Sequence, residues 1–444
     1  MAKGKKKENL TPEERLQAAL VPDWEQPYKV PKNWCWTRMQ EIAQWGSGGT
    51  PSRKIPEYYN GDIPWIKTGE LNDDYIFETE EHITQEAISH SSAKLFPKNT
   101  VVIAMYGATI GKVAILGIPA TTNQACACGI VNTSTNYKYL FYYARSQKDD
   151  FIKKGKGGAQ PNISQEIIKL HEFPLPPLPE QQRIVDRIES LFAKLDEAKQ
   201  KAQDALDNFE TRKAAILHKA FTGELTAQWR KEHDVGMESW DSDLFKNIVT
   251  TVKDKFDPTT QTTSLHYIGL EHIQKNKGII GFGTANDIKS LKTVFKTGDI
   301  LYGKLRPYLN KHDIAPFDGI CSTDILVYRT QCSQTAKYIN YFMNTELFIS
   351  TAISNSKGIN LPRVSEKEIG NIPVNIPPIS EQTEIVRLLD DILAKEQHAK
   401  DTVEAVLEQI DLIKKSILAR AFRGELGTND PAEESAVELL KKII

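Results

Sequence analysis

The side chains able to do chemistry in this chain are lysines, arginines, hydroxyls and amides set in glycine-rich loops. In the first half, Ser47-Gly-Gly-Thr50-Pro-Ser52-Arg53-Lys54 is a turn ending in two cations. Lys67 and Thr68 follow the strand-like Ile63-Pro-Trp-Ile66, and Tyr106, Thr109 and Lys112 lie on a polar turn between apolar runs. Lys153-Lys154-Gly-Lys156-Gly-Gly-Ala-Gln160 is a basic loop, with Asn162 just beyond it. In the second half, Lys304, Arg306, Tyr308 and Lys311 take the place of residues 106–112. Lys357, Asn360 and Arg363 take the place of residues 156–162. Charged and hydroxyl side chains of this kind hold phosphates, while Arg, Lys, Asn and Gln read base edges. Any one of them alone reads as a solvated loop residue. Equivalent basic loops in both halves point to a nucleic-acid contact surface.

Bond-making groups are missing from the pattern. Gly107-Ala-Thr-Ile-Gly111-Lys112-Val113 is one residue short of a phosphate loop and ends in Val where Ser or Thr belongs. The Pro-Pro pairs are not the Asn-Pro-Pro-aromatic motif of adenine methyltransferases, no glycine fingerprint for a methyl donor follows a strand, and no convincing Asp/Glu-x-Lys nuclease constellation stands out. Of Cys35, Cys126, Cys128, Cys321 and Cys332, none forms a C-x-x-C, and Cys126-Ala-Cys128 is too tight for zinc, so reduced cytosolic thiols are expected. His266 and His272 lack ligand-like company. The chain is expected to bind rather than catalyse, with no metal and no cofactor of its own.

Bulk properties set the frame. The 444 residues suffice for two or three domains, and 40% hydrophobic with 26% charged residues describes a soluble globular protein. No apolar run approaches the roughly 20 residues of a membrane span. Met1-Ala-Lys-Gly-Lys-Lys-Lys7 has charge but no apolar stretch behind it, so no signal peptide is expected. The net charge of −2 is low for a nucleic-acid binder. Either the cations are segregated onto faces, or a partner supplies much of the phosphate contact.

The elements that position these loops are written twice. Residues 157–225 match the chain 201 positions later without a gap: Pro176-Pro-Leu-Pro-Glu-Gln181 meets Pro377-Pro-Ile-Ser-Glu-Gln382, and Ala220-Phe221-Thr-Gly-Glu-Leu225 meets Ala421-Phe422-Arg-Gly-Glu-Leu426. Each copy holds a long helical pattern. Ile184, Ile188, Leu191, Leu195, Ala198, Ala202, Ala205, Phe209 and Ile216 step by four and three, interrupted only by Arg212. Ile385, Leu389, Ile392, Ala399, Val403, Val406, Ile410, Ile413 and Ile417 do the same, interrupted by Glu396. Such spacing is a coiled-coil signal, with Pro before each start and Gly223 and Gly424 past each end. Before each helix lie strand-like runs at residues 100–106, 113–116, 299–302 and 325–328, then helical stretches at 138–151 and 336–353. The helices are nearly the same text and the globular segments are not. An α+β protein is predicted: two divergent α/β domains on two long antiparallel coiled-coil helices, an internal repeat about an approximate two-fold axis. The expected segments are an N-terminal extension 1–30 with a disordered or docking role, a first domain 31–175, a helical spacer 176–235, a second domain 236–376, a second spacer 377–427 and a tail helix 428–444. At about 1.5 Å per residue the first helix spans about 60 Å, so two heads on such a rod would reach successive turns of one duplex.

Gly157-Gly-Ala-Gln160-Pro-Asn-Ile-Ser164, Pro174-Leu-Pro-Pro-Leu-Pro-Glu-Gln181 and Lys213-Ala-Ala-Ile-Leu-His-Lys-Ala-Phe-Thr-Gly-Glu-Leu225, repeated in looser form, resemble the type I restriction–modification specificity subunits. Pro31-Lys-Asn-Trp34, Gly48-Gly-Thr-Pro51 and Ile63-Pro-Trp-Ile66 fit the same pattern, which covers roughly residues 30–426; the second copy departs at Leu361, where the pattern has Gln. The resemblance implies that each globular segment is a target-recognition domain reading one half of an asymmetric bipartite site in double-stranded DNA. It implies helices that fix the spacer and dock two adenine methyltransferase subunits, which carry S-adenosylmethionine, and two restriction–translocase subunits, which use ATP and magnesium. It also implies a prokaryotic cytoplasmic location. Rival readings are the same module serving a fused methyltransferase–nuclease, and a coiled-coil scaffold presenting two protein-binding heads without DNA.

Overall fold

Short apolar runs become central strands because both of their faces are covered. Val101–Ala104 is buried at every position, as is Val113–Leu116 beside it. In the computed structural model, which describes residues 11–155, 161–258, 265–284 and 288–444, they belong to a five-stranded sheet. Its order is Ala43–Ser47, Cys126–Val131, Val101–Ala104, Val113–Leu116 and Tyr75–Ile76. Ile63–Ile66 leads a second, three-stranded sheet with His82–Ile83 and Thr121–Thr122. In the second half, Ile300–Gly303 and Ile325–Arg329 form the centre of a four-stranded sheet, with a five-stranded sheet beside it. The helical stretches foreseen at 138–151 and 336–353 each break in two. Tyr137–Ser146 stops at Gln147 and Lys148–Lys154 follows, while Ser333–Phe342 gives way to Glu346–Ser354, capped by the Thr345 hydroxyl.

The chain divides into two compact units that are not consecutive segments: residues up to Lys201 with Leu407–Ile444, and Ala202–Val406. Both cuts fall inside the long helices Leu178–Phe221 and Ile379–Ala421. Each unit therefore holds the start of one long helix and the end of the other. In the first unit, Ile184, Val185, Ile188 and Phe192 share a core with Leu418, Ala421 and Phe422. Phe422 packs edge-on against Tyr139 and Tyr143, with ring centroids 5.3 and 5.1 Å away. In the second unit, Ile385, Val386 and Leu389 share a core with Leu217, Ala220 and Phe221. Phe221 meets Tyr338 and Phe342 at 4.9 and 5.5 Å.

A buried polar clasp accompanies each aromatic plug. The Glu-Gln pair that opens each helix is buried in both copies: Glu180, Gln181, Glu381 and Gln382. Glu381 pairs with Arg230 at 2.5 Å and accepts from the Thr226 hydroxyl at 2.7 Å and the Trp240 indole at 2.8 Å. Glu180 accepts from the Thr428 hydroxyl at 2.7 Å and pairs with Arg183 at 2.9 Å. Burial pushes the Glu180 carboxyl up against the opposing pull of Thr428 and Arg183. The glutamines hold the chain on the other side. Gln181 donates to Pro176 O and Ser134 O, and Gln382 donates to Pro377 O. The glutamate in the first turn of each long helix is thus the anchor for the segment that follows the other helix.

Within each unit the helix segments run antiparallel. Lys199 pairs with Asp411 and Lys414 with Asp196 in the first unit, and Lys400 pairs with Glu210 in the second. The residues that interrupt the two apolar seams are partners: Arg212 meets Glu396 at 3.0 Å, its guanidinium 4.2 Å over the Phe209 ring. Ile184, Ile188, Phe209, Ile385, Leu389 and Ile410 are buried, while Leu191, Leu195, Ile216, Ile392, Val403 and Ile417 are half-buried. The seam departs from the expected one elsewhere. Ala198, Ala399, Val406 and Ile413 are exposed. Phe192 takes a core place instead, and the Lys414 ammonium lies 5.0 Å over its ring, with most of the lysine side chain covered.

Both ends of the described chain pack into the first unit. Residues 11–30, read as an extension, pack into the first unit, with Ala19 and Val21 buried and Thr37 donating to Ala19 O at 2.8 Å. The tail helix Ala436–Lys441 joins the same core through Ala436 and Leu440. Apolar Leu16, Ala19, Val437 and Leu440, outnumbered by charge in the sequence, supply that contact.

Two outcomes follow from this packing. Phe422→Ala should cost the first unit about 3–5 kcal/mol, and Phe221→Ala should do the same to the second. Hydrogen exchange would show each loss confined to its own unit; uniform loosening by either variant would contradict it. His171 supplies a pH dependence. Burial, with the Lys154 ammonium 3.0 Å from Nδ1, lowers its pKa to about 4. An unfolded histidine titrates near 6.5. Between those values the unfolded chain binds the proton and the folded chain does not, so the contribution is full above about 6.5 and falls as pH drops toward 4. Thermal melts of the parent and His171→Phe across that window should diverge only on the acid side.

Candidate nucleic-acid interface

Hydrogen bonds draw the sequence-nominated loops of the first unit to one face. The strand Val101–Ala104 runs into a turn pinned on both sides: Met105 N donates to Ala125 O at 2.8 Å, Gly107 N to Pro161 O at 2.9 Å, and Ile163 N to Met105 O at 2.9 Å. Tyr106 and Asn162 face each other across an isolated bridge. Asn123 N donates to Ile66 O at 2.9 Å, which ties in the loop carrying Lys67 and Thr68. The Thr50 hydroxyl meets the Gln124 amide, and Gln165 donates to the Ser47 hydroxyl at 3.1 Å. Tyr106, Thr50, Ser52, Lys54 and Asn162 are exposed on this frame, and Lys112 and Thr68 are half-buried. Thr109 closes its own turn by donating to Tyr106 O at 2.8 Å.

Two cations of this face, Arg53 and Lys67, share one carboxylate. The Arg53 guanidinium lies 4.0 Å from the Tyr59 ring centroid and 5.0 Å from that of Trp65, and pairs with Glu81 at 2.6 Å. Lys67 reaches the same carboxylate at 2.9 Å and Glu80 at 3.2 Å. The Arg53 hydrogen bond, with Lys67 second, holds the Glu81 carboxyl below its usual range. Lys154 is spent on the interior: it pairs with Asp150 at 2.8 Å and contacts His171. Lys156 and Gln160 lie outside the described residues.

The second unit builds the same frame from other residues. Lys304 N donates to Asp324 O at 2.9 Å, Arg306 N to Pro362 O at 2.7 Å, Val364 N to Lys304 O at 3.1 Å, and Ser322 N to Ile268 O at 2.9 Å. Each bond has its counterpart above, so Met105 corresponds to Lys304, Gly107 to Arg306, Ala125 to Asp324 and Asn162 to Arg363. The backbone is kept even where it is costly: Gly107 has φ +61° and Arg306 has φ +54°. A non-glycine residue in that region carries about 1–3 kcal/mol of strain. Arg306, Tyr308, Lys357, Asn360 and Arg363 are exposed. Arg363 reaches Asp324 at 3.3 Å, Lys357 lies 3.8 Å from Glu368, and Lys311 donates to Leu270 O at 2.6 Å.

The loops nominated from sequence did not include Asn123 and Gln124 in one unit or Ser322 and Asp324 in the other. These residues follow the strands Thr121–Thr122 and Gly319–Cys321 and link the loops of each face. Amide-rich and hydroxyl-rich turns after strands were the available signal. Among the described residues no group of His, Cys, Asp and Glu is arranged to hold a metal, and no helix is long and apolar enough to cross a membrane.

Two copies of the family model for the type I restriction modification DNA specificity domain match residues 31–207 and 242–409. The chain belongs to the type I restriction–modification specificity subunit family. It is 28% identical over 338 residues to the type I restriction enzyme EcoDI specificity subunit of Escherichia coli, covering 69% of this chain and 76% of that one. The fold is shared with a chain from a structure of complex assembly and conformational transition in a type I R-M system, at TM-score 0.72, 19% identity, and 90% and 100% coverage. It is shared as well with the HsdS subunit of Thermoanaerobacter tengcongensis, at TM-score 0.61, 19% identity and the same coverage. This specificity subunit thus carries two DNA specificity domains, and the loop faces described above lie within them.

Arg306 offers a test that separates fold from recognition. Arg306→Gly should keep the second unit as stable or gain up to about 1 kcal/mol by relieving the left-handed strain. The same change should weaken specific DNA binding by about 1–3 kcal/mol. Melting curves and salt-matched binding titrations decide it; a stable variant with parental DNA affinity would show the arginine to be idle.

Proposed function

We propose that each specificity domain reads one half of an asymmetric bipartite site in double-stranded DNA. The observation that carries this reading is the shared hydrogen-bonded loop frame bearing different side chains in the two units. One frame presents Met105, Gly107 and Asn162, the other Lys304, Arg306 and Arg363. Equal backbones dock equally on a duplex, while unequal side chains select unequal sequences. Contacts from Thr50, Ser52, Lys54, Tyr106, Lys112, Asn162, Arg306, Tyr308, Lys357, Asn360 and Arg363 fit this role best, being exposed or half-exposed on that frame. Arg53 and Lys67 act as a stacked, carboxylate-held pair, and Lys154, Lys311 and Thr109 support the loops from behind. Lys156 and Gln160 belong to the same loop in sequence.

The paired helices set the unspecified spacer and dock two adenine methyltransferase subunits, and two restriction–translocase subunits complete the enzyme. Val406, Leu412 and Ile413 support docking: they are large apolar residues exposed on the second long helix. A structure with the same fold concerns complex assembly in a type I R-M system, which favours this reading over a solitary DNA binder. Methyl transfer, with S-adenosylmethionine, and ATP- and magnesium-dependent translocation belong to those partners in the prokaryotic cytoplasm. The low net charge fits a chain that shares phosphate contact with its methyltransferase.

Replacing residues 236–376 with the corresponding segment of a relative should change one half of the methylated sequence and leave the other half intact. Methylation mapping by long-read sequencing in cells with the cognate methyltransferase reads this directly. Simultaneous change of both halves would contradict the assignment of one domain to one half.

A further inference from the structure

Two ion pairs join the long helices of the first unit, and only one of them recurs in the second. Lys199 pairs with Asp411 at 3.1 Å, and the equivalent residues, Lys400 and Glu210, lie 3.8 Å apart. Lys414 pairs with Asp196, its side chain largely covered. The equivalent residues 201 positions away are Lys213 and Gln397, so the second unit keeps the cation and loses the acid. The Gln397 amide donates to Asp401 at 2.7 Å instead. Among the described residues Lys213 has no ion-pair partner, and its ammonium reaches Asn276 Oδ1 at 3.4 Å.

Lys213 borders a cavity of about 330 Å³ within the second unit, with Asn276, Asn340, Asn344 and Gln397 on its wall. That volume is at the lower end of small-molecule sites, roughly 300–1,000 Å³. Asn310 stands on the same wall, and its buried Oδ1 has no hydrogen-bond partner. The acids of the wall are already engaged: Glu210 with Lys400, Glu396 with Arg212, and Asp313 with the backbone amides of Ile279 and Ile314. Burial pushes the Lys213 pKa down against the pull of Glu210, and Lys400 and Lys275 add to the fall. A half-buried ammonium deprived of its counter-ion is the incomplete half of a charge pair. We propose that this cavity binds a small organic acid, its carboxylate on the Lys213 ammonium and its polar body among the asparagine amides.

The first unit supplies the chemistry of the occupant, because the equivalent lysine there takes a carboxylate, that of Asp196. The counterpart cavity of the first unit, about 420 Å³, has Lys414 and Asp196 together on its wall, so the pair is complete without a ligand. In the second unit one carboxylate restores the same balance of charge. Phosphate fits less well, since a dianion faces Glu210, Glu396 and Asp313 on the same wall and like charges at close range repel. The cavity also reaches the loop face: Arg306 and Asn310 cap the two ends of one turn, Pro307–Leu309.

Two variants of the full chain test the site, with acetate, lactate and succinate as probes and inorganic phosphate as the comparison, all at one ionic strength. Lys213→Gln removes the cation. Gln397→Asp supplies the carboxylate from within, as Asp196 does in the first unit. Calorimetry should show the parent binding at least one of the organic acids, with affinity lowered at least about tenfold in each variant. The bound acid should also shield Lys213 from an amine-acylating reagent, read by mass spectrometry, while acylation of Lys414 stays the same. This second measurement uses the parent chain alone and decides the matter if either variant folds poorly. Absence of binding and of shielding overturns the site, as does parental affinity in both folded variants. Tighter binding of phosphate than of every organic acid overturns the carboxylate assignment. Shielding of Lys213 by the cognate methyltransferase or by duplex DNA, with no organic acid bound, makes a macromolecule the occupant and overturns it too.

Discussion

Neither recognition domain is closed by its own stretch of chain. Each needs the end of the long helix that began in the other half of the sequence: Phe422 fills the aromatic cluster of Tyr139, Tyr143 and Phe173, and Phe221 fills that of Tyr338 and Phe342. A buried carboxylate fixes each closure, Glu180 through Thr428 and Glu381 through Thr226 and Arg230. A buried charge deprived of its partner costs several kcal/mol, so these clasps tolerate little change on either side. That constraint explains why the helix ends and the Glu-Gln pairs repeat nearly letter for letter while the domains between them do not. The text that repeats is the text that meets the same chemical requirement twice.

Against that fixed frame the loop faces are free to differ. The hydrogen bonds that shape them use backbone atoms, Met105 N to Ala125 O in one unit and Lys304 N to Asp324 O in the other. Side chains at these positions can then change without loss of shape, apart from the left-handed site, where Arg306 bears a strain that Gly107 avoids. The electrostatics follow the same logic. Arg53 and Lys67 share Glu81, and Arg363 leans on Asp324. Acids beside the cations lower the net charge of the chain and fix the direction in which each cation points. Such a surface gains less from counterion release than a bare basic patch and more from geometry.

The sequence made the repeat, the long helices and the central strands legible, because periodicity and repeated motifs are local signals. Residues 101–104 and 113–116 are strands where continuous β-branched and aliphatic runs placed them. Other features depend on contacts distant in sequence. The burial of Ala19 against Ala436 and Leu440 joins a stretch that reads as a charged extension to one that reads as a tail helix. Phe192, its ring edge-on to Tyr142 and faced by the Lys414 ammonium at 5.0 Å, is buried while Ile413 is exposed, and spacing alone does not encode those contacts. At the loop faces, glycine-rich and basic loops pointed to Arg53, Arg306 and Arg363 but not to the amides and hydroxyls of residues 123–124 and 322, whose role is set by where the strands end. The same loops nominated Lys154 and Lys311, which the fold ties to the buried His171 and to the Leu270 carbonyl.

The two units are therefore alike where they are closed and unlike where they are open, and the strand pair below each helix end shows the difference at one position. Trp36 and Ser242 occupy the same register point over the same tyrosine hydroxyl. The large ring is retained in the unit whose cover comes from this chain's own residues 26–30. The small hydroxyl stands in the unit for which the described chain supplies no cover. Had both sites served only to seal a core, the same aromatic would have suited both, since floor, register and helix end are shared. With Ser242 in place of the ring, that strand position is exposed, while Phe221 beneath the helix end stays buried.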